Sequence, residues 1–177
     1  MQFLASDALS RARRVRLVIF DVDGVLTDGR LWYGPGGDEL KAFHAFDGHG
    51  VKLLLMAGLR TAILSGRESS AVELRAQELG IEHVVQGADD KRAAFERLLK
   101  RVKLRREAVA YMGDDVVDLP VLTRCGFACV PHEAPEPVRH CAHYIASARA
   151  GHGAAREVCE FILEAQGKLG RVLARFR

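Results

Sequence analysis

The sequence predicts an α/β fold: a largely parallel central sheet with helices on both faces and a β-hairpin insertion. Three observations predict it. Short runs such as Leu17-Val18-Ile19-Phe20 are apolar at successive positions, as in strands buried on both faces. Segments with helical signals separate these runs, the alternation that builds parallel sheets. The 177 residues contain no linker, repeat or low-complexity block, so residues 1–177 read as a single domain with a sizeable core.

The elements follow in order. Arg16 to Phe20 is a central strand. "RLWYGPGGDELKAFHA" reads as a β-hairpin over about residues 30–45, with arms near Leu31–Tyr33 and Glu39–His44 around Gly34-Pro35-Gly36-Gly37. A helix runs from about Gly48 to Ala57 and stops at Gly58. "RTAILSG" is a second core strand. "SSAVELRAQELG" is a helix with serine at its start and Gly80 at its end. "IEHVVQG" is a strand, and "DDKRAAFERLLKRV" is an amphipathic helix turning Ala94, Leu98 and Val102 inward. "EAVAYMG" is a third core strand, followed by a loop and a short helix near Leu119 to Arg124. "FACV" and "HYIAS" are short strands. The C-terminal helix and tail occupy about residues 151–177, with Val158, Phe161, Ile162 and Ala165 on one face.

Composition narrows the function classes. About half the residues are apolar and the net charge is +3, a soluble globular balance. No apolar run is long enough to span a bilayer, and the start lacks a secretory signal, so the expectation is a cytoplasmic protein with no membrane partner. The basic stretches Arg11 to Arg16 and Lys100 to Arg106 lack interleaved aromatics and read as solvated helix faces and loop ends, with no nucleic-acid partner. Cys125, Cys129, Cys141 and Cys159 form no C-x-x-C pair and no zinc spacing, and read as free thiols.

In open α/β sheets, sites lie beyond the carboxyl ends of the strands. Asp21-Val22-Asp23 follows the first core strand, Ser65-Gly66-Arg67 the second, and Gly113-Asp114-Asp115 with Asp118 the third, while Lys91 opens a helix between the last two. Each residue alone has an ordinary reading as a turn, a cap or a solvated lysine. Together they crowd five carboxylates at one rim, which calls for protonation or a cation. An all-oxygen donor set favours magnesium, with Asp21 and Asp114 as direct ligands and a backbone carbonyl from Asp23. Asp21 can then attack phosphorus, Asp23 can act as acid and base, and Ser65 with Lys91 can hold phosphoryl oxygens.

"DVDGVLTD", "LSGR", Lys91 at the start of its helix and "GDDVVD" resemble the four motifs of the haloacid dehalogenase-like superfamily, across nearly the whole chain. The resemblance implies a Rossmann-like fold. It implies Asp21 as nucleophile, Asp23 as general acid/base, Ser65 and Lys91 as phosphate-holding residues, and Asp114 as a magnesium ligand. Asp115 and Asp118 would be supporting acids, Asp118 acting through water. The gaps from Asp21 to Ser65 and from Lys91 to Asp114 leave no room for a cap domain. The site is therefore expected to be open in a monomer.

"GDELKAF", "DGHGVKLL", "AILSGRESSAVELRAQELGI", "VVQGADDK" and "GHGAAREVCEFILEAQGKL" narrow the resemblance to the 3-deoxy-D-manno-octulosonate 8-phosphate phosphatase family. That implies a sugar-acid phosphate substrate from lipopolysaccharide precursor synthesis. It also implies a homotetramer whose hairpins meet and whose C-terminal tail can cover a neighbour's site. Asp23, His44, Lys52, Gly66, Arg67, Arg75 and Lys91 fall at substrate-contacting positions. His44 and Phe46 depart from the family pattern of a polar Asn and a basic residue, and His152 stands where an arginine is common. Trp32, Tyr33 and Phe43 read as subunit-packing residues. The alternatives are a related nonulosonate 9-phosphate phosphatase, the capless phosphatase domain of some sialic-acid activating enzymes, a phosphomutase, and a non-catalytic sugar-phosphate-binding module.

Overall fold

Leu17–Phe20 (β2) has no residue that water can reach, because the chain pairs it on both edges and covers it on both faces. In this computed structural model, which describes residues 3–176, β2 lies between Arg60–Leu64 (β5) and Val109–Met112 (β7), parallel to both. Leu17 is level with Arg60 on one side and with Val109 on the other. His83–Val85 (β6) extends the sheet beyond β5; Phe127–Val130 (β8) and Tyr144–Ile145 (β9) extend it beyond β7. Phe3–Leu4 (β1) closes that edge antiparallel to β9, giving the order β1-β9-β8-β7-β2-β5-β6. The largely parallel sheet expected from sequence is thus present, with one antiparallel edge strand.

Helices cover both faces. Ala8–Arg14 (α1), Ala45–Met56 (α2), Ser70–Leu79 (α3) and Ala154–Ala165 (α7) enclose one core, which includes Phe20, Val51, Leu54, Phe127 and Val158. Lys91–Val102 (α4), Leu119–Leu122 (α5) and Glu136–Arg139 (α6) enclose the other, around Leu17, Phe95, Tyr111 and Val130. Ala94, Leu98 and Val102 point inward from α4 as their spacing requires. On α7, Val158 and Ile162 are fully buried, and Phe161 stacks on Phe127 with ring centroids 5.9 Å apart.

Several boundaries differ from the sequence reading. The hairpin is shorter: only Trp32–Tyr33 (β3) and Glu39–Leu40 (β4) pair. α2 begins three residues before Gly48, because His44 accepts a hydrogen bond from the Phe46 amide at 3.2 Å and caps the helix. Ser69 precedes α3 without making a side-chain cap. β1, α1 and α6 carried no sequence expectation, and Leu169–Leu173 (α8) replaces part of the expected tail. α8 folds back on its own chain and buries Val172. The basic stretches are largely solvated: Arg13, Arg14, Lys100, Lys103, Arg105 and Arg106 are exposed. Cys125, Cys129 and Cys159 are buried free thiols, and burial pushes Cys125 up to about 12. Among the described residues no helix is long and apolar enough to cross a membrane.

Candidate active site

After β2 the chain continues to β5 and β6 on one side and later returns to β7 on the other, so a crevice opens at the carboxyl ends between β2 and β7. The backbone prolongs the sheet just far enough to fix what leaves it. The Asp21 amide donates to Met112 O at 2.9 Å, and the Ser65 amide donates to Val85 O at 2.9 Å. Lys91 is the first residue of α4, held there because Asp90 caps the helix by accepting from the Ala93 amide at 2.9 Å.

These elements bring the predicted residues together. Asp21 is buried, and its Oδ2 lies 2.5 Å from Lys91 Nζ. The same ammonium donates to Asp118 Oδ1 at 2.6 Å. Asp118 is fully buried, and both its oxygens are engaged. Oδ1 also accepts from the Tyr111 hydroxyl, and Oδ2 accepts from the backbone amides of Asp114 at 3.0 Å and Asp115 at 3.3 Å. Asp118 therefore holds Lys91 and shapes the turn that presents Asp114. Glycine is required at two approaches. Gly24 sits at φ +82°, and a Cβ there would stand 2.0 Å from Asp114 Oδ2; one on Gly113 would stand 2.5 Å from Asp118 Cγ.

One ammonium does not balance this charge. Oxygens of Asp21, Asp114 and Asp118 all lie within 4.8 Å of one another. At an effective dielectric of about 20, two like charges at that range repel by roughly 3–4 kcal/mol. Burial and the charge of Asp118 push Asp21 up to about 7 against the pull of Lys91. Burial and the charges of Asp21 and Asp118 push Asp114 up to about 8. Burial lowers Lys91, but its two carboxylates outweigh that and hold it above its ordinary value. A cluster of oxygen donors that holds protons near neutrality fits a hard divalent cation. With Asp118 already saturated, Asp21 and Asp114 are the carboxylates that could hold it.

The hairpin approaches from outside this cluster. Lys41, with a side chain only 1% exposed, donates to Asp23 Oδ1 at 2.5 Å and pairs with Glu39. Arg67 donates to Glu39 Oε2 at 2.7 Å and to the Tyr33 hydroxyl at 3.3 Å, with its Nε 3.9 Å from Asp23 Oδ2. Burial pulls Lys41 down, yet Asp23 and Glu39 leave it above its ordinary value. Glu39 is lowered by Arg67 first and then by Lys41.

A cavity of about 430 Å³ opens over the crevice, and Asp21, Asp23, Ser65, Gly66, Arg67, Lys91, Asp114 and Asp115 line it. The Ser65 hydroxyl oxygen accepts from the Arg67 amide at 3.3 Å, which turns the Ser65–Arg67 loop over the cavity. Three expected substrate residues lie outside this lining. His44 is spent on capping α2 and faces His152, with ring centroids 6.0 Å apart. Lys52 is exposed on α2, where helical periodicity turns it from the buried Val51 and Leu53. Arg75 lies on α3 over the Phe43 ring and bonds Glu78 at 3.1 Å. Sequence reasoning missed Lys41, Glu39 and Tyr111. The i, i+2 spacing of Glu39 and Lys41 on a hairpin arm was the available signal, since it puts both on one face.

Comparison with known proteins gives the family. Residues 36–126 match the haloacid dehalogenase-like hydrolase family model. The chain is 43% identical over 166 residues to 3-deoxy-D-manno-octulosonate 8-phosphate phosphatase of Yersinia pestis, covering 94% of this chain and 89% of that one. It is 42% identical to the Escherichia coli K12 phosphatase of the same name, covering 94% of this chain and 88% of that one. Among solved structures it is similar to the Moraxella catarrhalis phosphatase in complex with magnesium, phosphate and 3-deoxy-D-manno-octulosonate. That likeness has a TM-score of 0.94 and 40% identity, and covers 97% of this chain and 98% of that one.

Proposed function

Because the chain belongs to the 3-deoxy-D-manno-octulosonate 8-phosphate phosphatase family of haloacid dehalogenase-like hydrolases, we propose how its own residues carry out that family's reaction. The protein is a magnesium-dependent phosphatase that hydrolyses 3-deoxy-D-manno-octulosonate 8-phosphate to 3-deoxy-D-manno-octulosonate and phosphate. The observation that carries the assignment to this site is the convergence of Asp21, Asp23, Ser65, Lys91 and Asp114, from four separate stretches of sequence, at the single switch-point crevice.

An oxygen of Asp21 forms a bond to phosphorus while the bond from phosphorus to the sugar oxygen breaks, and Asp23 gives that oxygen its proton. Asp23 then takes a proton from water, the water oxygen bonds to phosphorus, and the bond from phosphorus to Asp21 breaks to release phosphate. Lys91 and Ser65 hold the remaining phosphoryl oxygens, where charge builds in the transition state. Asp21, Asp114 and the backbone carbonyl of Asp23 would hold magnesium, which would supply positive charge against the crowded carboxylates and the phosphoryl group. Gly66 and Arg67 flank the substrate within the cavity. His44, Lys52 and Arg75 lie outside the cavity lining and are assigned no contact with substrate within one copy of the chain.

The assembly is a homotetramer built through the hairpins. Its support is the exposure of Trp32 at 55%, Tyr33 at 61% and Leu40 at 60% on a two-stranded sheet, which is marginal alone in water. The C-terminal segment of a neighbouring copy covers the cavity mouth, where Val117 is exposed. The setting is cytoplasmic lipopolysaccharide precursor synthesis. The test is phosphate release from 3-deoxy-D-manno-octulosonate 8-phosphate, ranked by kcat/KM against nonulosonate 9-phosphates and hexose phosphates. Loss in chelator and return with magnesium are expected; preference for a 9-phosphate would overturn the substrate, and full turnover in chelator would overturn the metal.

A further inference from the structure

We propose that Lys41, on the hairpin, is a positioning residue for acid–base chemistry: it holds the Asp23 carboxylate in one orientation at the edge of the cavity. The inference rests on the reading of Asp23 as general acid and base.

The two oxygens of Asp23 have different surroundings. Oδ1 accepts from Lys41 Nζ at 2.5 Å. Oδ2 is buried and has no hydrogen-bond partner, and Arg67 Nε lies 3.9 Å from it. Asp23 lines the cavity beside Asp21, so its carboxylate stands where the substrate, and the water that follows it, arrive. Proton transfer requires hydrogen-bond reach and a fixed orientation, and a carboxylate free to rotate about its terminal bond would share its proton between two directions.

Lys41 can impose that orientation because its own position is fixed. Its side chain is 1% exposed and is held by Glu39, and Arg67 in turn holds Glu39 at 2.7 Å. The resulting ring Asp23–Lys41–Glu39–Arg67 joins the loops after β2 and β5 through two residues of the hairpin. A lysine in contact with Asp23 alone would drift with its long stem; one clamped between two carboxylates does not. The hairpin therefore supplies part of the catalytic geometry as well as an exposed surface.

The experiment compares kcat/KM of Lys41→Met and of the parent on two classes of ester. Alkyl phosphates, the sugar-acid phosphate among them, need a proton on the departing oxygen. Aryl phosphates with acidic leaving groups, such as p-nitrophenyl phosphate, do not. Because kcat/KM reports the steps through alcohol departure, it isolates the acid role. Lys41→Met is expected to lose ~10–100-fold on alkyl esters, a share of what general acid catalysis contributes, and less than ~3-fold on the aryl ester. Lys41→Arg, which keeps a donor to Asp23, is expected to recover most of the loss. Equal losses on both classes would overturn the proposal, since a loosened hairpin slows both alike. Should Lys41→Met fail to fold, Lys41→Gln takes its place under the same criterion. Asp23→Asn is run beside them. If it shows no preference between leaving groups, the assignment of Asp23 falls; if it does and Lys41→Met does not, only the role of Lys41 falls.

Discussion

Lys91 Nζ lies 2.5 Å from Asp21 Oδ2, across 70 residues of sequence, and the ammonium spans from there to Asp118. The contact places a fixed positive charge beside the carboxylate proposed as the nucleophile, and it keeps two buried carboxylates from facing each other unpaired. Replacing Lys91 with Met removes that charge. The variant is expected to lose about 3–5 kcal/mol of stability in the metal-free protein, the usual cost of breaking a buried pair from one side. Urea unfolding checks it, and the loss should be larger at pH 8 than at pH 6, where Asp21 can take a proton instead.

Stability of the metal-free protein should fall as pH rises. Asp21 titrates at about 7 and Asp114 at about 8 in the fold, against 3.8 for a free side chain. Between roughly pH 4 and 8 the folded state binds more protons than the unfolded one, so each group removes on the order of 1.4 kcal/mol per pH unit while both states differ by a full proton. Lys91 titrates above this window and does not change the sign. Magnesium needs the ionised carboxylates, so the gain in Tm on adding it should grow from pH 6 to pH 8, with proton release measurable by calorimetry.

Asp114→Asn separates repulsion from ligation. It removes one negative charge from the cluster, so the metal-free protein at pH 8 should melt at or above the parent's temperature. The same change removes a metal ligand, so magnesium should no longer raise Tm and kcat should fall by ~10²-fold or more. A variant that melted lower and still responded to magnesium would contradict the assignment.

Gly24→Ala tests the close approach behind Asp114. The methyl group would need the space of the Asp114 carboxylate, 2.0 Å away, on a backbone at φ +82°. Loss of more than about 1 kcal/mol in stability, together with weakened magnesium binding, is expected.

The exposed aromatics of the hairpin make the proposed tetramer testable. Trp32→Ser with Tyr33→Ser should shift the species measured by light scattering from a tetramer to smaller forms and lower kcat, because the hairpin also carries Lys41.

Local pattern was enough to read the strands, the alternation with helices and the residues at the strand exits. Leu17–Phe20 is apolar throughout because both its faces are covered, and a chain that leaves such a strand through Asp21-Val22-Asp23 declares a site. α1 and β1 escaped notice because each is short and depends on distant partners: Arg11 reaches Gly126 O at 2.9 Å, and β1 pairs with β9. What tertiary structure alone decided is which charges meet. Nothing in "GDELKAF" tells that Lys41 reaches Asp23, or that Asp118 is saturated by Lys91, Tyr111 and two backbone amides while Asp114 is left for a cation. Electrostatic pairing depends on distances of a few ångströms between chain-distant groups. Those distances are set by how the hairpin and the turns pack against the rim, after the strand order has been established.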